Sequence, residues 1–217
     1  MMNLKKISVL ACMTLLLSAC ESTYYAAAER VGYHKREILV DRVVDARDAQ
    51  SEAEEQFESA QAQLLSLIDF DGGDLQDIYE ALSDEYDASA DAAQEVRDRI
   101  DSIESVANAL FEEWTDELEQ YSNARLKADS QRKLAETRRR YEKLVRAMRA
   151  SEQKMEPVLA ALKDNVLYLK HNLNARAVAA LKTEFSQIDR DIDVLIAEMR
   201  KAIASSDEFI DSLRAEA

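Results

Sequence analysis

Four runs of side chains, each spaced alternately three and four residues apart, constrain this chain more than any other feature, because that spacing keeps one stripe of a helix against a neighbour over many turns. The first run is Leu39, Val43, Ala46, Gln50, Ala53, Phe57, Ala60, Leu64 and Leu67, with Gln50 its only polar member. The second is Leu75, Tyr79, Leu82, Tyr86, Ser89, Ala93, Val96, Ile100, Ile103, Ala107, Leu110, Trp114, Glu117 and Tyr121. Leu134, Thr137, Tyr141, Leu144, Met148, Ser151, Met155, Val158, Leu162, Asn165 and Leu169 form the third. The fourth is Val178, Leu181, Phe185, Ile188, Ile192, Leu195, Met199, Ala202, Ser206, Phe209 and Leu213. With 3 glycines and 1 proline in 217 residues, turn signals are scarce and helix is favoured nearly everywhere. The expected fold class is all-α: an elongated antiparallel helical bundle or coiled coil of about four long helices.

Breaks between the runs locate the turns. Asp69-Phe70-Asp71-Gly72-Gly73-Asp74 pairs two glycines with Asp74, a good N-cap. The register slips near Tyr121-Ser122-Asn123, which predicts a tight turn, and again at Asn172-Leu173-Asn174, where either a chain reversal or a kink fits. Pro157 lies inside the third run without disturbing its register, so a kink rather than a terminus is expected there. Phe57, Trp114, Tyr141 and Phe185 belong to the stripes and are read as core.

The amino terminus carries a separate message. Lys5 and Lys6 precede an apolar run from Ile7 to Leu17, which is too short for a permanent membrane helix and reads as an export signal. Leu17-Ser18-Ala19-Cys20 resembles the bacterial lipobox, which implies removal of residues 1–19, lipidation of Cys20, a lipidated tether over 20–23 and one helical bundle domain over 24–217. Glu21 follows the cysteine in place of the aspartate that marks inner-membrane retention, so the expected location is the cell envelope, lipid-anchored on the periplasmic face of an outer membrane. Cys12 lies within the removed segment, which leaves no intramolecular disulfide in the mature chain.

Charge is unevenly distributed. The chain has 43 acids against 28 bases, a net charge of −15, and this argues against nucleic-acid binding through its bulk field. Acids dominate from Asp69 to Glu119, whereas Arg125 to Arg149 is basic. One reading is internal pairing of the basic start of the third helix with Glu112, Glu113, Asp116, Glu117 and Glu119. Another is contact with anionic lipid: up-and-down topology would put Arg125, Lys127, Arg132 and Lys133 at the anchored end beside Lys35 and Arg36, with Tyr24, Tyr25 and Tyr33 at the interface. The far end would gather Asp71 and Asp74 with Lys170, His171, Asn172 and Asn174, a candidate partner surface. Asp69, Asp71 and Asp74 lack the twelve-residue calcium loop and its terminal Glu, so helix capping is the reading there and no metal is expected.

Catalytic patterns are missing from the sequence. His34 and His171 are expected at opposite ends, no cysteine nucleophile survives lipidation, and neither a phosphate loop nor a zinc motif occurs. No enzyme and no cofactor is expected.

Tyr24-Tyr25 with Glu29 to Val43, the Phe70-Asp71-Gly72-Gly73-Asp74-Leu75 turn, Leu118 to Ala124, Thr137-Arg138-Arg139-Arg140-Tyr141 and Val166 to Ala175 together resemble an uncharacterised family of helical Gram-negative lipoproteins, known as a domain of unknown function. The resemblance implies an all-helical, surface-anchored protein and assigns no site residues. The expected role is a non-catalytic scaffold or interaction module of the envelope, held to the bilayer through acylated Cys20 and meeting an envelope protein or peptidoglycan. A bilayer-perturbing helical bundle is the alternative, and self-association a further property that such stripes permit.

Overall fold

A computed structural model describes residues 35–68 and 75–215. Among them the regular structure is entirely helical: α1 (Lys35–Ile68), α2 (Leu75–Leu118), α3 (Ala124–His171) and α4 (Ala175–Ala215). The 48 residues of α3 extend over roughly 70 Å at about 1.5 Å per residue, so the packed helices form a rod.

Each helix packs against two others, in the cyclic order α1, α2, α3, α4 and back to α1. Cross-helix bonds fix the directions. Between α1 and α2, Lys35 reaches Glu113 at 2.8 Å and Gln56 reaches Glu85 at 2.7 Å, so residue numbers rise on one helix as they fall on the other. Arg138 to Thr115 and Arg97 to Glu152 show the same opposition between α2 and α3. Lys143 bonds Glu208 across α3 and α4, and the ring closes through Arg36 to the Leu213 carbonyl and Gln61 to Asp189. Neighbours are therefore antiparallel.

Every member of the first stripe is buried, as is every member of the fourth. The third is buried throughout except for half-buried Tyr141. In the second stripe the expected register fails at its end: Glu117 and Tyr121 are exposed, while Val106, Phe111 and Leu118 are buried. A straight helix turns every 3.6 residues and drifts about 20° per heptad from a strict 3.5 repeat, so the inward face passes to Phe111 and Leu118. That exchange also keeps the Glu117 carboxylate in water. Phe57 and Phe185 are core residues, whereas Trp114 is half-buried and its indole N–H donates to Ser130 Oγ at 2.8 Å.

The two turns within the described residues are capped by asparagine. Asn123 Oδ1 accepts from the backbone N–H groups of Arg125 and Leu126, opening α3. Asn174 Oδ1 accepts from the N–H groups of Arg176 and Ala177, opening α4. Because α3 and α4 pack against each other over their length, residues 172–174 make a chain reversal. The Asp69–Asp74 turn lies outside the described residues, as do Cys20, Tyr24, Tyr25, Tyr33 and His34. Helix α3 runs unbroken through Pro157. The proline sits on the exposed side, where the carbonyl that loses its helical donor can meet water.

Polar groups interrupt the core. Gln50 and Ser151 are both fully buried on diagonally opposed α1 and α3, and Gln50 Nε2 donates to Ser151 Oγ at 3.2 Å. Ser151 in turn donates to the Met148 carbonyl at 2.7 Å. Among the described residues no partner meets Gln50 Oε1, Thr137 Oγ1 or Asn165 Oδ1.

Candidate functional site

With one face of each helix spent on the core, the chemistry offered to other molecules lies on the outward positions. On α2 the position opposite the buried stripe is aspartate four times at seven-residue spacing, Asp77, Asp84, Asp91 and Asp98, and all four are exposed. Glu80, Asp87 and Asp101 flank them on the same side and are also exposed. The matching position on α3 is arginine four times at the same spacing, Arg125, Arg132, Arg139 and Arg146, again all exposed. Small exposed residues sit beside both rows, Ala88 on α2 and Ala128 and Ala135 on α3, and leave room for a close approach.

Internal pairing does little to cancel these rows. Among the described residues Arg132 and Arg146 reach only Asp129 and Glu142 of their own helix, with side chains 73% and 70% exposed, where ion pairs contribute little. The side chains of Arg125 and Arg139 have no partner among the described residues, and neither do Asp77, Asp84, Asp87 and Asp91. The seam between the acidic and basic stretches is well connected. Arg149 bonds Glu104, Asp101 and Glu152, and Arg97 completes the group at 3.0 Å from Glu152. The hydrogen bond that Arg149 donates to Glu104 leads the rise in its pKa, against some desolvation. At Glu152 burial opposes ionisation, but the bonds from Arg149 and Arg97 outweigh it and hold the carboxyl below its usual range. Nearby, Arg138 lies over the Phe111 ring at 5.3 Å, and Phe111 meets Tyr141 edge to face. Burial, aided by the Glu104 charge, pushes the Tyr141 phenol up to about 12.

The residues read as lipid contacts do share one end of the rod, but protein groups hold several of them. Lys35 is only 13% exposed in its side chain and bonds Glu113, while Arg36 donates to the Leu213 carbonyl. Lys127 pairs with Glu119, one of the five expected partners, at 3.4 Å. Glu113 instead takes Lys35. Arg125, Arg132 and Lys133 remain at the surface. At the far end Lys170 and His171 are exposed, next to exposed Leu167, Tyr168 and Leu173. Asn172 and Asn174 are engaged in the turn itself, the first closing α3 through Tyr168 and Leu169 and the second capping α4. Asp71 and Asp74 lie outside the described residues.

Compared with known families, residues 24–213 match DUF2959, described as a protein of unknown function. The chain belongs to the DUF2959 family. No curated protein matches it. The family description assigns no residue, so in this DUF2959 protein the candidate surface rests on its own geometry.

The paired rows of Asp and Arg are what sequence reasoning missed. Their signal was present as an unbroken repeat of one residue type every seven positions, at a place in the repeat where packing imposes no choice. Reading charge as totals per segment, without phasing it against the core stripe, hid that order.

Proposed function

We propose that this DUF2959 protein is a lipid-anchored, non-catalytic scaffold of the bacterial cell envelope, tethered through acylated Cys20 to the periplasmic face of an outer membrane. The carrying observation is the Leu17-Ser18-Ala19-Cys20 motif, whose Cys20 stands four residues ahead of the start of the family match at residue 24. A stiff rod of four long helices, wound with coiled-coil seams, suits a role in which outward faces engage another envelope protein or peptidoglycan. Apolar side chains fill the seams between helices, and ordered charge covers the outside. Several acyl chains, each buried methylene contributing roughly 0.8 kcal/mol, would hold the rod at the bilayer for the life of the protein.

No helix among the described residues is long and apolar enough to cross a membrane, so attachment in this reading falls to the lipid. The test is fractionation of cells making the full chain or its Cys20→Ser variant, combined with crosslinking in intact cells. The wild type is expected in the outer-membrane fraction with envelope components crosslinked to it, and the variant is expected to leave that fraction. Equal membrane association of both proteins would contradict the anchor, and leakage of dye-loaded vesicles at low protein concentration would replace the scaffold with a bilayer-perturbing bundle.

A further inference from the structure

The two charged rows share a length, a phase and a spacing, and they are opposite in sign. Each spans 22 residues from first to last charge, about 32 Å of helix, and each begins near the N-terminus of its helix. Helix propensity does not account for the acidic row, since aspartate is a poorer helix former than glutamate at an exposed interior position. Nor does the helix dipole, which acts within the first and last turns: it favours Asp77 alone, and it disfavours a cation at Arg125. Solubility asks for charge of either sign in any order. None of these requirements selects four Asp on one outer line and four Arg on the other.

Within one molecule the rows cannot neutralise each other. Helices α2 and α3 are antiparallel neighbours, and the Arg149 contact with Asp101 marks the level where both rows end. Above that level α2 carries the Asp row, and below it α3 carries the Arg row, so they lie end to end along the rod. We infer that the Asp77, Asp84, Asp91 and Asp98 line of one copy docks side by side on the Arg125, Arg132, Arg139 and Arg146 line of a second copy, with the two rods turned end for end.

Reversal is what brings the lines level over their whole length. It sets α2 of one copy parallel to α3 of the other, with Asp77 opposite Arg125 and Asp98 opposite Arg146. Ala88, Ala128 and Ala135, exposed and small, permit the helices to come near. The C-terminal halves of the same two helices then run together, bringing Glu112 and Asp116 of α2 beside the stretch of α3 that carries Lys154 and Lys163. An upright pair in the same register would instead place the Asp line against the Glu152–Lys170 half of α3, where the Arg repeat has ended at Arg146. The contact does not depend on lipidation. If the anchor proposed above is present, the two Lys35 ends stand at opposite ends of the pair, and the contact joins copies carried on facing surfaces rather than neighbours on one.

Exposed ion pairs are individually weak and are screened by salt, so the association is expected to be weak and to fade as salt rises. The test is sedimentation velocity on the full chain in detergent, at low and high salt and up to about 0.1 mM protein, where a contact of micromolar strength is well populated. One variant carries Arg125→Glu, Arg132→Glu, Arg139→Glu and Arg146→Glu, and a second carries Asp77→Arg, Asp84→Arg, Asp91→Arg and Asp98→Arg. The wild type is expected to self-associate at low salt and to lose at least about tenfold in affinity at high salt. Each variant alone is expected to be monomeric, and an equimolar mixture to form mixed pairs. Circular dichroism of each variant separates loss of pairing from loss of fold, since mixed pairing requires two folded partners. A wild type that stays monomeric at low salt overturns the inference. So does self-association that both variants retain, or an Arg row that binds anionic vesicles while the mixture of variants stays monomeric.

Discussion

At the scale of single residues, the core of this rod carries polar groups that packing alone would not select. Gln50 fills a position that Leu occupies elsewhere in its stripe, and its Oε1 has no partner among the described residues. Leaving a buried acceptor unpaired costs about 1–3 kcal/mol, so Gln50→Leu is expected to stabilise the protein by an amount of that order. Ser151 keeps its own bond to the Met148 carbonyl and is not orphaned by the change. Thermal unfolding checks this: the midpoint should rise by a few degrees, and a fall would mean that the amide is satisfied. Tyr141 makes a second residue-level prediction. Its folded pKa of about 12 lies above the ordinary 10.0, so the neutral phenol's contribution is fully present below 10.0 and is lost as pH rises through about 12. Ultraviolet titration should show a late-ionising component that Tyr141→Phe removes.

At the scale of elements, Arg149 and Asn123 govern how α2 and α3 meet. Arg149→Met would leave Asp101, Glu104 and Glu152 crowded, with Arg97 alone among bases bonded to Glu152. The expected loss is about 1–2 kcal/mol at neutral pH, toward the low end because Asp101 is solvent-exposed and screened. Glu152 has a depressed folded pKa, so its contribution is present above the unfolded value and disappears as pH falls through the folded one. The gap between wild type and variant in urea unfolding should therefore narrow on acidification. A gap that widens would contradict the network. Asn123→Ala removes the side-chain acceptor for two backbone donors and should cost about 0.5–2 kcal/mol, with Asn123→Asp retaining most of it. Much of this level was legible beforehand. Leu39 to Leu67 and Val178 to Leu213 were placed in the core by spacing alone, since only one stripe of a helix can face its neighbours. At the end of α2 a strict seven-residue register points Glu117 and Tyr121 inward, whereas the slow rotation of a straight helix leaves both exposed. The pairing of Lys35 with Glu113 was invisible for another reason: it joins residues 78 apart and depends on which end of each rod meets which.

At the scale of the whole molecule, the rod divides its surface by charge along its length, acid toward the α2 start and base toward the α3 start. Such a distribution makes association orientation-dependent, and the pairing of reversed copies is its direct consequence. The charge totals were readable from the sequence, but the order within them emerges only when the outward line of each helix is followed against its buried one. Near the amino terminus, a lipid on Cys20 would turn this water-facing rod into an envelope component, and that claim is open to a direct check. Intact-mass spectrometry of the mature protein purified from its own host tests that claim most directly. The expected species begins at Cys20 and carries diacylglycerol and an acylated amino terminus. A chain that retains residues 1–19, or one that begins at Cys20 with no added lipid, would contradict it.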